Sequence, residues 1–153
     1  MSSLRDKIKM SEEELSSFLK KQISLQIGTI NKDGSPHLTT MWYFYDGENF
    51  IFHTYTKSQK ILNLKRDNRA TVLSESGDNY SNLKGVMIYS EANIIDGESK
   101  SDKVLEIIEK VAVKYSDASV SKSYLKAMEN QAKKRSAVIL NPIGYISWDH
   151  SKL

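Results

Sequence analysis

Thr54-Tyr55-Thr56-Lys57-Ser58-Gln59-Lys60 gathers three hydroxyls and two ammonium groups into seven residues. The stretch lies between a β-type run, Phe50-Ile51-Phe52-His53-Thr54, and a segment in which Ile61, Leu62 and Leu64 mark a short helix. A helix N-terminus presents unpaired backbone N–H groups and the positive end of the helix dipole; hydroxyls add donors and lysine adds a compact charge. Such a place suits a phosphate. A solvated, lysine-containing surface loop has the same composition, and nothing in these residues demands a nucleotide.

Other chemistries are poorly supplied. The chain has no cysteine, which excludes disulfides, thiolate catalysis and thiolate metal sites, and His37, His53 and His150 share no ligand spacing such as HxxxH. No metal site is expected. There is no convincing catalytic triad or carboxylate pair, so no catalytic side chain is assigned. His37 could hydrogen-bond a ring system or a substrate, although a lone strand histidine is more often structural, and His53 ranks below it. Trp42, Tyr43 and Tyr45 could stack on a planar ligand, but alternating aromatics on a strand usually fill a core or an interface; Trp42 and Trp148 are expected at an interface. Arg135 follows a basic helix end, where positive charge is favoured anyway, and could reach a bound anion.

The elements that must position these residues read clearly. Ser11-Glu12-Glu13-Glu14 is a capping box, followed by Leu15, Phe18 and Leu19 at helical spacing. Alternation from Ile23 to Thr29 predicts a strand, and Asn31-Lys32-Asp33-Gly34 supplies its hairpin turn. Pro36 to Tyr45 forms the next strand, with large side chains on both faces, and Asp46-Gly47 turns the chain into Phe50–Thr54. Further strands are expected over residues 70–74, 83–95, 137–141 and 144–148, the last two separated by Pro142, with helices around Val104–Tyr115 and Tyr124–Gln131. Consecutive hairpins and about seven short strands predict an α+β, mainly β fold: a small antiparallel barrel of six to seven strands with peripheral helices, in one domain spanning residues 1–153.

In that order, Asp33-Gly34-Ser35-Pro36-His37-Leu38-Thr39-Thr40, Trp42-Tyr43-Phe44-Tyr45-Asp46-Gly47, Thr54 through Asp67 and Tyr145-Ile146-Ser147-Trp148-Asp149 resemble the pyridoxamine-phosphate-oxidase-like flavin-binding family. The resemblance implies a split β-barrel, a homodimer with two cofactor sites across its interface, and FMN or the deazaflavin coenzyme, factor 420, as cofactor. It makes Lys60 the phosphate-binding lysine, with Thr54, Thr56, Lys57 and Ser58 as its neighbours. Thr39, Thr40 and Met41 become the strand along the ring system; Arg135, from its own position at the opening of a late strand, is a candidate cofactor contact beside them. The chain ends in Trp148-Asp149-His150-Ser151-Lys152-Leu153 without the arginine and histidine pattern that authentic pyridoxamine phosphate oxidases use for substrate.

The implied activity is hydride transfer between a flavin and a small molecule, with deazaflavin-dependent reduction and non-catalytic flavin binding or redox sensing as alternatives. A formal charge of +3 is too modest to indicate a nucleic-acid partner. No apolar run approaches the ~20 residues of a membrane span, and the first residues lack a secretory apolar region, so the expectation is a cytoplasmic protein.

Overall fold

The computed structural model describes residues 3–116 and 120–153. Four helices and seven strands follow a short opening helix α1 (Leu4–Lys7): α2 (Glu12–Lys21), β1 (Ser24–Ile30), β2 (Pro36–Trp42), β3 (Phe44–Tyr45), β4 (Phe50–Tyr55), α3 (Gln59–Arg66), β5 (Arg69–Ser76), β6 (Lys84–Asp96), α4 (Ser101–Tyr115), α5 (Lys122–Ala132) and β7 (Arg135–Asp149). The predicted capping box opens α2, where Ser11 Oγ accepts from the Glu14 amide at 3.2 Å and the Ser11 amide donates to Glu14 Oε2 at 2.7 Å. Gly34 adopts φ +86° in the β1–β2 turn, a conformation that disfavours other residues.

All strand pairs are antiparallel, in the order β2-β1-β5-β6-β7-β4-β3. β2 and β3 are the two edges, yet only Tyr43 separates them in the chain. Trp42 and Phe44 therefore lie within about 7 Å of each other at most. The sheet has curled until its edges meet, which makes it a split barrel. The predicted strand over Pro36–Tyr45 thus breaks at Tyr43, where the chain passes from one edge to the other.

α4 clasps that crossing. Tyr115 stacks on Trp42 with ring centroids 4.4 Å apart, its hydroxyl accepts from the Tyr43 amide at 2.9 Å and donates to the Ile23 carbonyl. Tyr43 is fully buried and Lys114 Nζ lies 3.7 Å from its ring centroid. Ile23, expected in the first strand, stays outside it and is exposed.

Two apolar cores form on the two sides of one wall. Inside the barrel, Leu25, Ile27, Phe50, Phe52, Val72, Val138 and Leu140 pack with Leu15, Phe18 and Leu19 of α2 and with Ile61 and Leu64 of α3. Complete burial of a side chain such as Phe52 contributes about 2–3 kcal/mol. On the outer side of β4 and β7, Ile51 and Ala137 pack beneath Val104, Ile107, Ile108 and Val111 of α4 and Met128 of α5.

The last two expected strands are one. β7 runs through Pro142 because the β6–β7 register shifts there: Tyr89 pairs with Gly144 and Ser90 with Pro142, leaving Ile143 as the extra residue. On its other side β7 pairs with β4 only up to Leu140, so the missing proline N–H removes no bond to β4. The closing Trp148 covers Gly85, where an added Cβ would lie 2.2 Å from the indole Cζ2. Asp149 is buried and pairs with Lys84 at 2.8 Å.

Candidate functional site

α3 sits across the end of β1 and is fixed there by an amide in its middle. Asn63 is fully buried; its Nδ2 donates to Thr29 Oγ1 at 3.1 Å and to Asn31 Oδ1 at 3.0 Å, while its Oδ1 accepts from Gln59 Nε2 at 2.9 Å. At the other end of the helix, Arg66 donates to the Ile30 carbonyl. These bonds set the direction of α3, and hence where its N-terminus points. Sequence reasoning gave Asn63 no role, although a polar residue between Ile61 and Leu64 on an apolar helix face was the available sign.

Ser58 is the N-cap of α3, with φ −69° and ψ 149°, but its hydroxyl makes no cap bond. Its Oγ is buried and has no partner among the described residues. Lys60, half-buried in the first turn, has its ammonium pushed below the ordinary lysine range by burial. Among the described residues no carboxylate pairs with it. Burying donors and a charge without a partner is costly, so this is a place that a bound anion would relieve. Lys57 is exposed, Thr54 is buried in β4, and Thr56 shares a 3.0 Å hydroxyl contact with Ser136 while its amide donates to the Lys134 carbonyl at 3.0 Å.

The strand residues divide by face. Met41 and Thr39 stand opposite Leu25 and Ile27 on the inward side of β2, and Thr40 is exposed on the outward side. Thr39 Oγ1 and the neighbouring inward His37 Nδ1 are buried and unpartnered among the described residues. Arg135 belongs elsewhere. It pairs in register with Tyr55, its guanidinium carbon lies 4.3 Å from the Tyr55 ring centroid, and Nη1 lies 3.2 Å from His53 Nδ1. Strand alternation puts His53, Tyr55 and Arg135 on the opposite side of β4 from Thr54 and Ser136. Burial, followed by the Arg135 charge, lowers His53 to about 4. No group of three or more potential metal ligands is clustered among the described residues, and no helix among them is long and apolar enough to cross a membrane.

An antiparallel sheet curled until its two edges meet, with helices packed on its flanks, is the arrangement of the split-barrel class. Residues 11–143 match the model of the pyridoxamine 5'-phosphate oxidase family, and the chain belongs to it. Over 99% of this chain and 92% of the other it is 34% identical to a conserved hypothetical protein of Mycobacterium tuberculosis, with a TM-score of 0.86. An F420 reductase matches over 85% of this chain and 94% of its own, with 19% identity and a TM-score of 0.65. The heme storage protein HutZ of Vibrio cholerae matches over 92% and 97%, with 13% identity and a TM-score of 0.69. No curated protein matches the chain. At these last two identities the likeness shows the fold, which carries both reductases and storage proteins.

Proposed function

We propose that this chain is a homodimeric flavin-dependent oxidoreductase that transfers a hydride between FMN and a small molecule. The observation that carries the reading is the α3 N-terminus, where the buried Ser58 hydroxyl and the half-buried Lys60 ammonium stand two residues apart, the hydroxyl without a hydrogen-bond partner and the ammonium without an ion pair among the described residues. Those groups fit one terminal phosphate, with Lys60 supplying charge, Ser58 a hydroxyl donor, and Thr54, Thr56 and Lys57 flanking them. Thr39, Thr40 and Met41 would lie along the ring system. When bound, the flavin supplies the redox chemistry by accepting or giving a hydride at ring position five, while the protein binds, orients and tunes it.

The dimer rests on the outward sheet face. Leu38 is 69% exposed, Ile143 67% and Tyr89 45%; Ile143 and Tyr89 line a groove of about 390 Å³ together with Gly28, Pro36 and Thr71, and Leu38 stands opposite Gly28 on the same face. A row of large apolar side chains left in water is what association with a second copy would cover. Light scattering should give twice the chain mass at micromolar concentration.

A deazaflavin is the second reading, suggested by the F420 reductase neighbour. Its carboxylate tail calls for further cations, and the structure commits several of them: Lys65 pairs with Asp96 at 3.0 Å, Arg66 binds Ile30, and Arg135 faces away. That favours FMN. The absorbance spectrum of the purified protein, with mass analysis of the small molecule released on denaturation, tests the cofactor. Steady-state oxidation of reduced nicotinamide or reduced deazaflavin separates turnover from binding alone.

A further inference from the structure

The outer side of β4 carries a cavity that the cofactor reading does not use. It has a volume of about 640 Å³ and lies between the barrel wall and the α4–α5 pair, with Trp42, Tyr115, Tyr124, Met128, His53 and Arg135 among its walls. That size suits a small organic ligand. Its character is uneven: rings and aliphatic groups from α4, α5 and the β2 edge form most of the lining, and the polar groups gather at the His53–Arg135 corner.

The corner is charged on one side only. Arg135 Nε is buried and unpartnered, and no carboxylate pairs with this guanidinium among the described residues. Arginine can only donate, so the 3.2 Å contact makes His53 Nδ1 the acceptor. That fixes the proton of the neutral imidazole on Nε2, which leaves another donor and, among the described residues, no carboxylate paired with the cation. A half-buried donor pair of this kind, with the Arg135 Nε buried, is satisfied by an anion, and the aromatic walls by a planar ring.

We propose that this cavity is a binding site for a planar aromatic acid, with Arg135 holding the acidic group and Trp42, Tyr115 and Tyr124 flanking the ring. The site stands apart from the phosphate cradle because His53 and Arg135 lie on the opposite side of β4 from Thr54. It therefore holds or fails independently of the cofactor assignment.

Fluorescence titration of the full chain with 1-anilinonaphthalene-8-sulfonate, and with its uncharged analogue N-phenyl-1-naphthylamine, tests it. The sulfonate should bind the wild type at least about tenfold more tightly than the analogue, and Arg135→Leu should abolish that preference while Arg135→Lys keeps part of it. Tyr124→Ala, at a partly exposed helix position with little bearing on folding, should weaken both probes. Saturating FMN should leave sulfonate binding in place. Equal affinity for the two probes, an Arg135→Leu protein that still folds and prefers the sulfonate, no effect of Tyr124→Ala, or displacement of the probe by stoichiometric FMN would each overturn the proposal.

Discussion

The two faces of β4 solve opposite problems with the same alternation. Inward, Phe50 and Phe52 fill the barrel and Thr54 brings a hydroxyl to its end, next to the loop that leads into α3. Outward, Ile51 joins the α4–α5 core, while His53 and Tyr55 meet Arg135. Lys60 and Ser58 belong to a helix start held by one buried amide; Arg135 and His53 belong to a wall held by strand pairing. Residues within two or three positions of each other in the chain therefore serve different places, and proximity in sequence is a poor guide to membership of a site.

The largest expected effect separates the faces by pH. His53 titrates near 6.5 when unfolded and is lowered to about 4 in the fold, so between those values the unfolded chain binds the extra proton. Its stabilising contribution is present above 6.5 and is lost progressively as pH falls from there through about 4, on the order of 3 kcal/mol in all and mostly by pH 4.5. Urea unfolding at pH 7 and at pH 4.5 should show that loss, and His53→Phe should flatten it while leaving FMN binding at pH 7 within about twofold.

Asn63→Ala strikes the other face through its support. It removes bonds to Thr29, Asn31 and Gln59 in a fully buried setting, and should lower stability by about 2 kcal/mol in denaturant titration. FMN affinity should fall with it, because the helix start loses its anchor. A stable Asn63→Ala protein with unchanged FMN affinity would detach the cradle from this amide.

Smaller effects sharpen the assignment within the cradle. Replacing an N-cap serine by alanine ordinarily costs about 1 kcal/mol, but the Ser58 hydroxyl makes no cap bond. Ser58→Ala should therefore leave the thermal midpoint nearly unchanged and still weaken FMN by a factor of about three to ten. A clear drop in midpoint would show the hydroxyl to be a helix cap.

Much of this was legible in the sequence because local rules governed it. The Ser11–Glu14 capping box, the Asn31–Gly34 turn and the polar Thr54–Lys60 connection before a helix depend on neighbours in the chain, whereas the count of seven strands agrees because one expected strand splits at Tyr43 and two merge at Pro142. What stayed hidden depends on register and closure. Pro142 reads as a break, yet β7 tolerates it where β4 has ended and a bulge absorbs Ile143. The break at Tyr43 follows from the curling of the whole sheet, which no local pattern encodes. The Arg135 side chain turns away from Thr54 because Arg135 pairs with Tyr55, a register set between strands 80 residues apart in the chain. Asn63 was visible as a misplaced polar residue, but its partners on β1 and in the turn were not.

The central claim is that Lys60 and the start of α3 hold the phosphate of a flavin. Calorimetric titration of cofactor-free protein with FMN and with riboflavin, which differ by that phosphate, tests it directly, in the wild type and in Lys60→Ala. A charge-assisted contact of about 1.5–3 kcal/mol should make FMN bind ten- to a hundredfold more tightly than riboflavin in the wild type, and the ratio should collapse toward one in the variant. Riboflavin binding as tightly as FMN in the wild type, or a preference that survives Lys60→Ala intact, would contradict it.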